Sequence, residues 1–377
     1  MILGGAQENT LYTVEGLDRR EGWETLLVTG PAIGPEGELI NRAAESGVRI
    51  EIVDLLRREI SPFKDAAAYY SLKRIIRREK PEIVHTHSSK AGILGRAAAT
   101  ACGVPVIVHT IHGLPFHPYQ NRLVSALYIS LERWAARRCD AIITVCDAMA
   151  EKAVAAGVAS REKFHTIYSG MELETFLDAG KERASVRREL GIPGGVPVVG
   201  KVARLFHLKG HKYLIEAMPR VLKQFPDTRF LFVGDGILRE ALSDRARELG
   251  VFDSIVFAGL VDPSRVGAMI GAMDLLVHCS LREGLARVLP QALLAGVPVI
   301  SYDIDGAREV VQEGVTGRLL GPGAVDELAQ AITWSLRAPE DAAAMAARGK
   351  ELCVEMFGAD RMVESIASLY EKLLKAS

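Results

Sequence analysis

Glu283 and Gln291 stand with seven residues between them, the first in a polar loop and the second just inside a helix. They belong to residues 274–317, whose composition changes in the order strand, loop, helix, strand. Residues 274–279 are a short apolar run suited to a buried parallel strand. Residues 280–285 are polar and broken by Gly284; residues 286–295 have helical character, with Pro290 harmless only in the first turn. Gly296 stops that helix, and residues 297–300 are the next strand. A helix that opens beside a strand's carboxyl end aims unpaired N–H groups and a partial positive charge into the crevice above the sheet. That is a place for phosphate. Arg204 and Lys209 follow the first strand of the second half of the chain. Read alone they are two solvated bases in a loop; read with the turn, they are fixed cations that offset negative charge without a metal.

The elements that must position these groups alternate strand and helix, once in each half of the chain. At 377 residues the chain is too long for one ordinary core and suits two domains. It is 49% hydrophobic and 25% charged, the composition of a soluble globular protein. A net charge of −1 gives no global field for nucleic acid or an anionic membrane. The five cysteines are scattered and not at metal spacing, so the expectation is buried free thiols in a reducing, cytoplasmic setting. No signal peptide is recognised, and no apolar run is long enough to span a bilayer. The first alternating set closes near residue 171, and the second starts with the strand 196–203. Residues 172–195 are polar, helical in part, and broken by Pro and Gly, which reads as the linker between domains 1–175 and 176–358.

The ordered set of motifs resembles the family 4 retaining glycosyltransferases, two-domain enzymes of the GT-B fold. The family signature is Glu, seven residues, Glu; this chain has Glu283-Gly284-Leu285, Gln291-Ala292, Ala295-Gly296 and Pro298-Val299. The resemblance also covers Gly4-Gly5, Thr110-Ile111-His112-Gly113, Tyr168-Ser169-Gly170, Arg204 with Lys209, and Gly317. It implies two Rossmann-like α/β domains facing across a cleft, with the last helix, 359–377, packed back on the first. It implies that Glu283 faces the donor sugar and that Gln291 stands where the family's second Glu holds the ribose hydroxyls. Arg204 and Lys209 would hold the donor diphosphate and His112 would lie against the sugar. Gly4, Gly5, Leu260, Gly284 and Leu285 complete the implied donor contacts. The implied donor is a nucleoside diphosphate sugar, and the implied acceptor a glycan or a lipid-linked one. Neither a metal nor a cofactor is implied, and nucleic acid is not a partner.

Two features depart from the family pattern. Gln at 291 accepts through one oxygen and donates through its amide, where a carboxylate would accept from both ribose hydroxyls. The Gly-Gly loop normally follows a first strand, but residues 1–3 supply only a fragment of one, against a usual strand of ~5–6 residues. The expectation is that the natural chain begins further upstream. Asp303-Ile-Asp305 matches by chance a metal-binding Asp-x-Asp of another fold, and Gly234-Asp235-Gly236 is a weak glycine pair. His85, His87 and His109 end strands beside His112 without an assigned role. The basic segments 73–80 and 133–138 read as a solvated face, with peripheral membrane contact of the first domain as the other reading. Two rival functions fit the same fold: a non-hydrolysing sugar-nucleotide epimerase and a catalytically silent nucleotide-sugar-binding protein.

Overall fold

Short runs of Val, Ile and Leu form parallel strands throughout the computed structural model, which describes residues 5–31, 40–57 and 59–377. The chain divides into one unit of residues 1–171 and 357–377 and another of residues 172–356. In the first unit β1 (Leu26–Thr29) pairs with β2 (Arg49–Ile52). A second parallel sheet runs in the order β3 (Ile83–His87), β4 (Val106–Ile111), β5 (Ala141–Thr144), β6 (Phe164–Thr166). Every residue of β4 and β5 is buried, which is why these strands read as continuous apolar runs rather than alternating ones. Among the described residues, β1 has no strand partner besides β2, and β3 none besides β4. Residues 1–3, the expected fragment of a first strand, and Gly4 lie outside the described residues.

The last helix, Ala359–Leu374, packs its Met362, Ile366 and Tyr370 against Val106, Val108 and Ile143 of this sheet. The helix Gly5–Asp18 is tied to the same corner. Buried Asn9 donates to Ser169 Oγ at 3.1 Å and to Met362 Sδ at 2.9 Å. The two ends of the first unit meet where Met171 N–H donates to the Phe357 carbonyl (2.9 Å) and Ala359 N–H to that of Met171 (3.2 Å). That pairing sets the division at residues 171 and 357.

The stretch 172–195, expected to be helical in part, carries two short α-helices. Helices Glu174–Leu177 and Arg183–Glu189 belong to the second unit. Arg187, 7% exposed, donates to Asp274 Oδ2 at 2.7 Å and to the Ala272 carbonyl at 2.8 Å. The Asp274 carboxylate also accepts from the Val198 amide at 2.7 Å and pairs with Arg183. Two of the segment's charges, Arg183 and Arg187, are thus partners of one carboxylate.

The second unit holds a six-stranded parallel sheet. Its strands are β7 (Val198–Val202), β8 (Arg229–Val233), β9 (Ile255–Gly259), β10 (Leu275–His278), β11 (Val299–Tyr302) and β12 (Arg318–Leu320), in spatial order β12-β11-β10-β7-β8-β9. This is the doubly wound order, in which the chain turns back between β7 and β10. Phe230, Phe232, Leu214 and Leu328, from the sheet and its helices, are wholly buried in its core. All five cysteines are free and four are buried.

A buried ion pair joins two helices of the first unit. Arg96 of Ser89–Cys102 is 0% exposed; its Nη2 lies 3.1 Å from Glu132 Oε2 of Arg122–Ala136, and its Nε donates to the Gly92 carbonyl. Glu132→Ala leaves that guanidinium buried without its counter-charge, at a cost of ~3–5 kcal/mol. Urea denaturation should show the loss as a lower midpoint with little change in slope. A midpoint equal to the parent's would mean that Arg96 is compensated elsewhere.

Candidate functional site

The turn-back of the second sheet leaves a crevice at the carboxyl ends of β7 and β10, and two loops enter it. The loop after β7, residues 203–210, carries Arg204 and Lys209; the loop after β10, residues 279–287, carries Glu283. They are stitched together by the Leu281 N–H, which donates to the Leu208 carbonyl at 2.8 Å. Gly210, with φ of 73°, lets them touch, since a Cβ there would stand 1.8 Å from the Cys279 carbonyl oxygen. Gly234 and Gly236 do the same on the other side. Their Cβ atoms would strike the carbonyls of Ala203 and Leu205 at 2.3 and 2.7 Å. The weak glycine pair is thus a packing device that braces the Arg204 loop.

Glu283 is the centre of the crevice. Its Oε1 accepts from Lys209 Nζ at 2.6 Å and lies 3.7 Å from His278 Nε2. Its own N–H donates to Asp305 Oδ2 at 2.7 Å. Burial by itself would raise the carboxyl's pKa, but His278 and the Lys209 ammonium outweigh it and hold the group well below the usual carboxylate range. Glu283 is therefore ionised at neutral pH, and partly neutralised by Lys209. His278 is 3% exposed, and burial holds its pKa below the ordinary value against the pull of Glu283. Its Nδ1 is 3.0 Å from Ser301 Oγ on β11.

Asp303 pairs with Arg308, and Asp305, held at φ of 45°, fixes the Glu283 backbone. Both aspartates of the Asp-x-Asp thus have structural work in this loop. Among the described residues no group of three or more His, Cys, Asp or Glu is placed to hold a metal ion.

Gln291 lies in the helix Val288–Leu294, with Pro290 in the first turn and Leu289, Leu293 and Leu294 buried beneath. That helix has only seven residues, so its dipole is small. Arg204 is exposed, with its guanidinium carbon 4.9 Å from the centre of the Phe206 ring. Gly284 accepts from the Gly306 N–H at 3.4 Å, and Leu285 is 8% exposed. Leu260 follows β9 and is exposed; its neighbour Gly259 accepts from the Gly234 N–H at 2.8 Å. The structure thus joins Glu283 directly to Lys209, and places Arg204 on the same loop as Lys209. Sequence reasoning missed His278, Asp305 and Lys201. Lys201 sits on β7, is 1% exposed, and has no hydrogen-bond partner for its Nζ among the described residues. The signal available was a His and a Lys in otherwise apolar strands next to the crevice.

The first unit gathers its own polar cluster at the ends of β3 and β4. His112 Nε2 and His87 Nδ1 are 3.0 Å apart with rings stacked at 5.3 Å, and the His85 ring is 4.3 Å from that of His87. His85 bonds Thr110 Oγ1 at 2.7 Å and the Tyr370 hydroxyl of the last helix. Two imidazoles that share one hydrogen bond share one proton, so His87 fixes the tautomer and aim of His112. Gly5 opens the helix Gly5–Asp18.

The chain matches known proteins over most of its length. Residues 4–170 match the glycosyl transferase 4-like domain, and residues 182–352 match the glycosyl transferases group 1. It is 30% identical over 374 residues to a UDP-Gal:alpha-D-GlcNAc-diphosphoundecaprenol alpha-1,3-galactosyltransferase of Escherichia coli, covering 98% of this chain and 94% of the relative. It is 29% identical over 318 residues to a 2-deoxystreptamine glucosyltransferase of Streptomyces kanamyceticus, 82% of each. The fold is similar to the crystal structure of Anabaena HepE in complex with UDP and glucose, with a TM-score of 0.83 and 22% identity over 98% and 96% of the two chains.

The histidines give the protein a pH signature. Burial pushes His87 down to about 4, and lowers His85, His109 and His211 as well. The unfolded chain takes up a proton near the ordinary value of ~6.5, while the folded one resists it, so the unfolded state binds more protons. The stabilising contribution is complete above about pH 6.5 and falls as pH drops toward the folded value, by up to ~1.4 kcal/mol per unit for each such histidine. Melting temperature should therefore fall between about pH 7.5 and about pH 5, and His87→Asn should flatten part of that slope. A melting temperature that stays level across the interval would contradict the neutral, buried state of these rings.

Proposed function

The chain belongs to the glycosyl transferases of group 1, and from that premise we propose a retaining, metal-independent hexosyltransferase acting on a nucleoside diphosphate sugar. The observation that carries the reading is the ionised Glu283 carboxylate, paired to Lys209 at the turn-back of the second sheet. A carboxylate neutralised by a lysine 2.6 Å away is a weak nucleophile and a good acceptor for sugar hydroxyls. Glu283 orients the donor sugar. Arg204 and Lys209 take up the negative charge that grows on the diphosphate as it leaves. Gln291 bonds the ribose hydroxyls, and His112, aimed by His87, has the sugar-bracing role that the family resemblance implies.

The bond from C1 of the sugar to the diphosphate oxygen breaks while the acceptor oxygen bonds to C1 from the same face. The acceptor's proton passes to the departing diphosphate, so no protein base and no metal enter the step. UDP- or GDP-sugars are the expected donors. The E. coli relative is named for transfer from UDP-Gal onto a diphosphoundecaprenol-linked sugar, and the Anabaena neighbour was crystallised with UDP. These support a UDP-sugar and a glycan or lipid-linked acceptor. The reading places the protein in the cytoplasm, with peripheral contact to the inner face of the membrane. Among the described residues no helix is long and apolar enough to cross a membrane.

Incubation with a panel of UDP-, GDP- and ADP-sugars, following nucleotide release and sugar transfer, tests the reading. An epimerase would return an isomerised donor, and a silent binder would release nothing. Within that assay Glu283→Ala should lower turnover far more than nucleotide affinity. Collapse of free-nucleotide binding, with transfer per bound donor intact, would reassign Glu283 to the diphosphate. Arg204→Ala should weaken nucleoside diphosphate binding by ~1.5–3 kcal/mol, read by calorimetry; an unchanged affinity removes Arg204 from the site. Gln291→Glu should stay active with donor affinity changed by less than about tenfold, ~1.4 kcal/mol. Complete loss of donor binding would mean that Gln291 does something other than hold ribose.

A further inference from the structure

Lys201 stands where lysines are rarely left. It is the fourth residue of β7, between Gly200 and Val202, and is 1% exposed. Its Nζ has no hydrogen-bond partner among the described residues. A lysine is almost never fully buried unless paired, because something must replace the water its ammonium has lost. Arg96, equally buried, follows that rule with Glu132 at 3.1 Å. Lys201 does not. Packing alone does not call for it either, since a methionine would fill an unbranched slot with no charge to desolvate.

Its place in the fold is specific. β7 runs into the loop 203–210, so Lys201 lies two residues before the loop that carries Arg204 and Lys209. His211 follows the same loop, opens the helix His211–Leu222 and is 2% exposed. Both ends of the loop converge on Phe232 of β8. Lys201 is its partner in the strand register, and the His211 ring lies edge-on with centroids 5.4 Å apart. The loop thus rests on two buried basic side chains. Burial comes first in lowering the pKa of both His211 and His278, and Lys201 and Lys209 push both down further. His211 is held neutral, which leaves Lys201 as the cation beneath the loop. Its field reaches the crevice, because His278 lies 3.7 Å from the Glu283 carboxylate.

We propose that Lys201 is a buried cation that strengthens the hold of the loop 203–210 on the donor diphosphate, acting from beneath Arg204 and Lys209 without touching the ligand. In the free protein its charge is uncompensated and destabilising. When the diphosphate binds, the same charge becomes an attraction, and a charge inside the protein is screened far less than one on its surface. Lys201 is therefore a positioning residue that works through its field, not a catalytic one. The proposal deepens the donor-binding part of the reading above and rests on it, not on the choice of sugar or acceptor.

The test is calorimetry of the full chain with UDP and UMP, and with GDP and GMP in parallel. The parent should bind the diphosphate more tightly than the monophosphate. Lys201→Met should weaken the diphosphate by about tenfold and the monophosphate by less. That is the order of the attraction between unit charges about 10 Å apart at an effective dielectric of about 20. Without nucleotide, Lys201→Met should melt at a higher temperature than the parent, because it removes an uncompensated buried charge. A lysine kept for structure alone would give the opposite: a lower melting temperature and equal loss for both ligands. Three results overturn the proposal: equal diphosphate affinity in parent and variant; the same fold-loss for diphosphate and monophosphate; or a variant that melts below the parent or fails to fold. A parent that binds neither diphosphate removes the donor-binding reading, and this proposal with it. A parent that prefers the diphosphate, beside a variant that matches it, removes Lys201 alone.

Discussion

A carboxylate stays ionised inside a protein only when cations or donors replace the water it has lost, and Glu283 meets that condition through Lys209. The two residues are 74 positions apart in the chain. Their meeting requires β7 and β10 to be neighbours, which is the point where the strand order turns back. It requires Gly210 at positive φ to pass under the Cys279 carbonyl, and Asp305 to hold the Glu283 amide from a third strand's loop. Loosening any of these would leave a buried carboxylate without its counter-charge. The close packing of the crevice and the ionisation of its central group are therefore one constraint.

That constraint bears on the chemistry. The Glu283–Lys209 pair holds both side chains in place before any donor arrives, so little reorganisation is left for the reacting complex. In the proposed reaction Lys209 would have two anions to serve, the carboxylate and the diphosphate, and a single ammonium can bridge both with its three donors. Arg204 has its guanidinium carbon 4.9 Å from the centre of the Phe206 ring. The seven-residue helix carrying Gln291 contributes orientation more than field. The first unit follows the same logic with neutral groups. Three imidazoles packed within hydrogen-bond and stacking distance, under Tyr370 of the returning helix, cannot all be protonated.

The two faces of helix Arg122–Ala136 show the opposite solution to the same electrostatic problem. Its inner side buries a charge and satisfies it with another; its outer side keeps charge in the open and leaves apolar surface between.

The sequence by itself determined the α/β class, the strand-and-helix alternation in two halves, and the stretch holding Glu283, because buried parallel strands are local apolar runs and their turns are local Gly and Pro patterns. It also gave the ordered motifs by which the chain resembles glycosyltransferases. Local pattern could not show what residues 172–195 are anchored to, since the partner of Arg183 and Arg187 is Asp274, 91 and 87 residues on. Nor could it reveal His278 and Asp305 as neighbours of Glu283, or His87 as the partner of His112. These pairings depend on which strands lie side by side, a choice made by the whole sheet. Likewise the stripe Leu123, Leu127, Leu131 and Trp134 reads from sequence as an ordinary core face of a helix. Only the tertiary structure, by burying Glu132 against Arg96 on the other side, turned that stripe outward. Hydrophobic periodicity states that a helix has two faces; packing decides which one is inside.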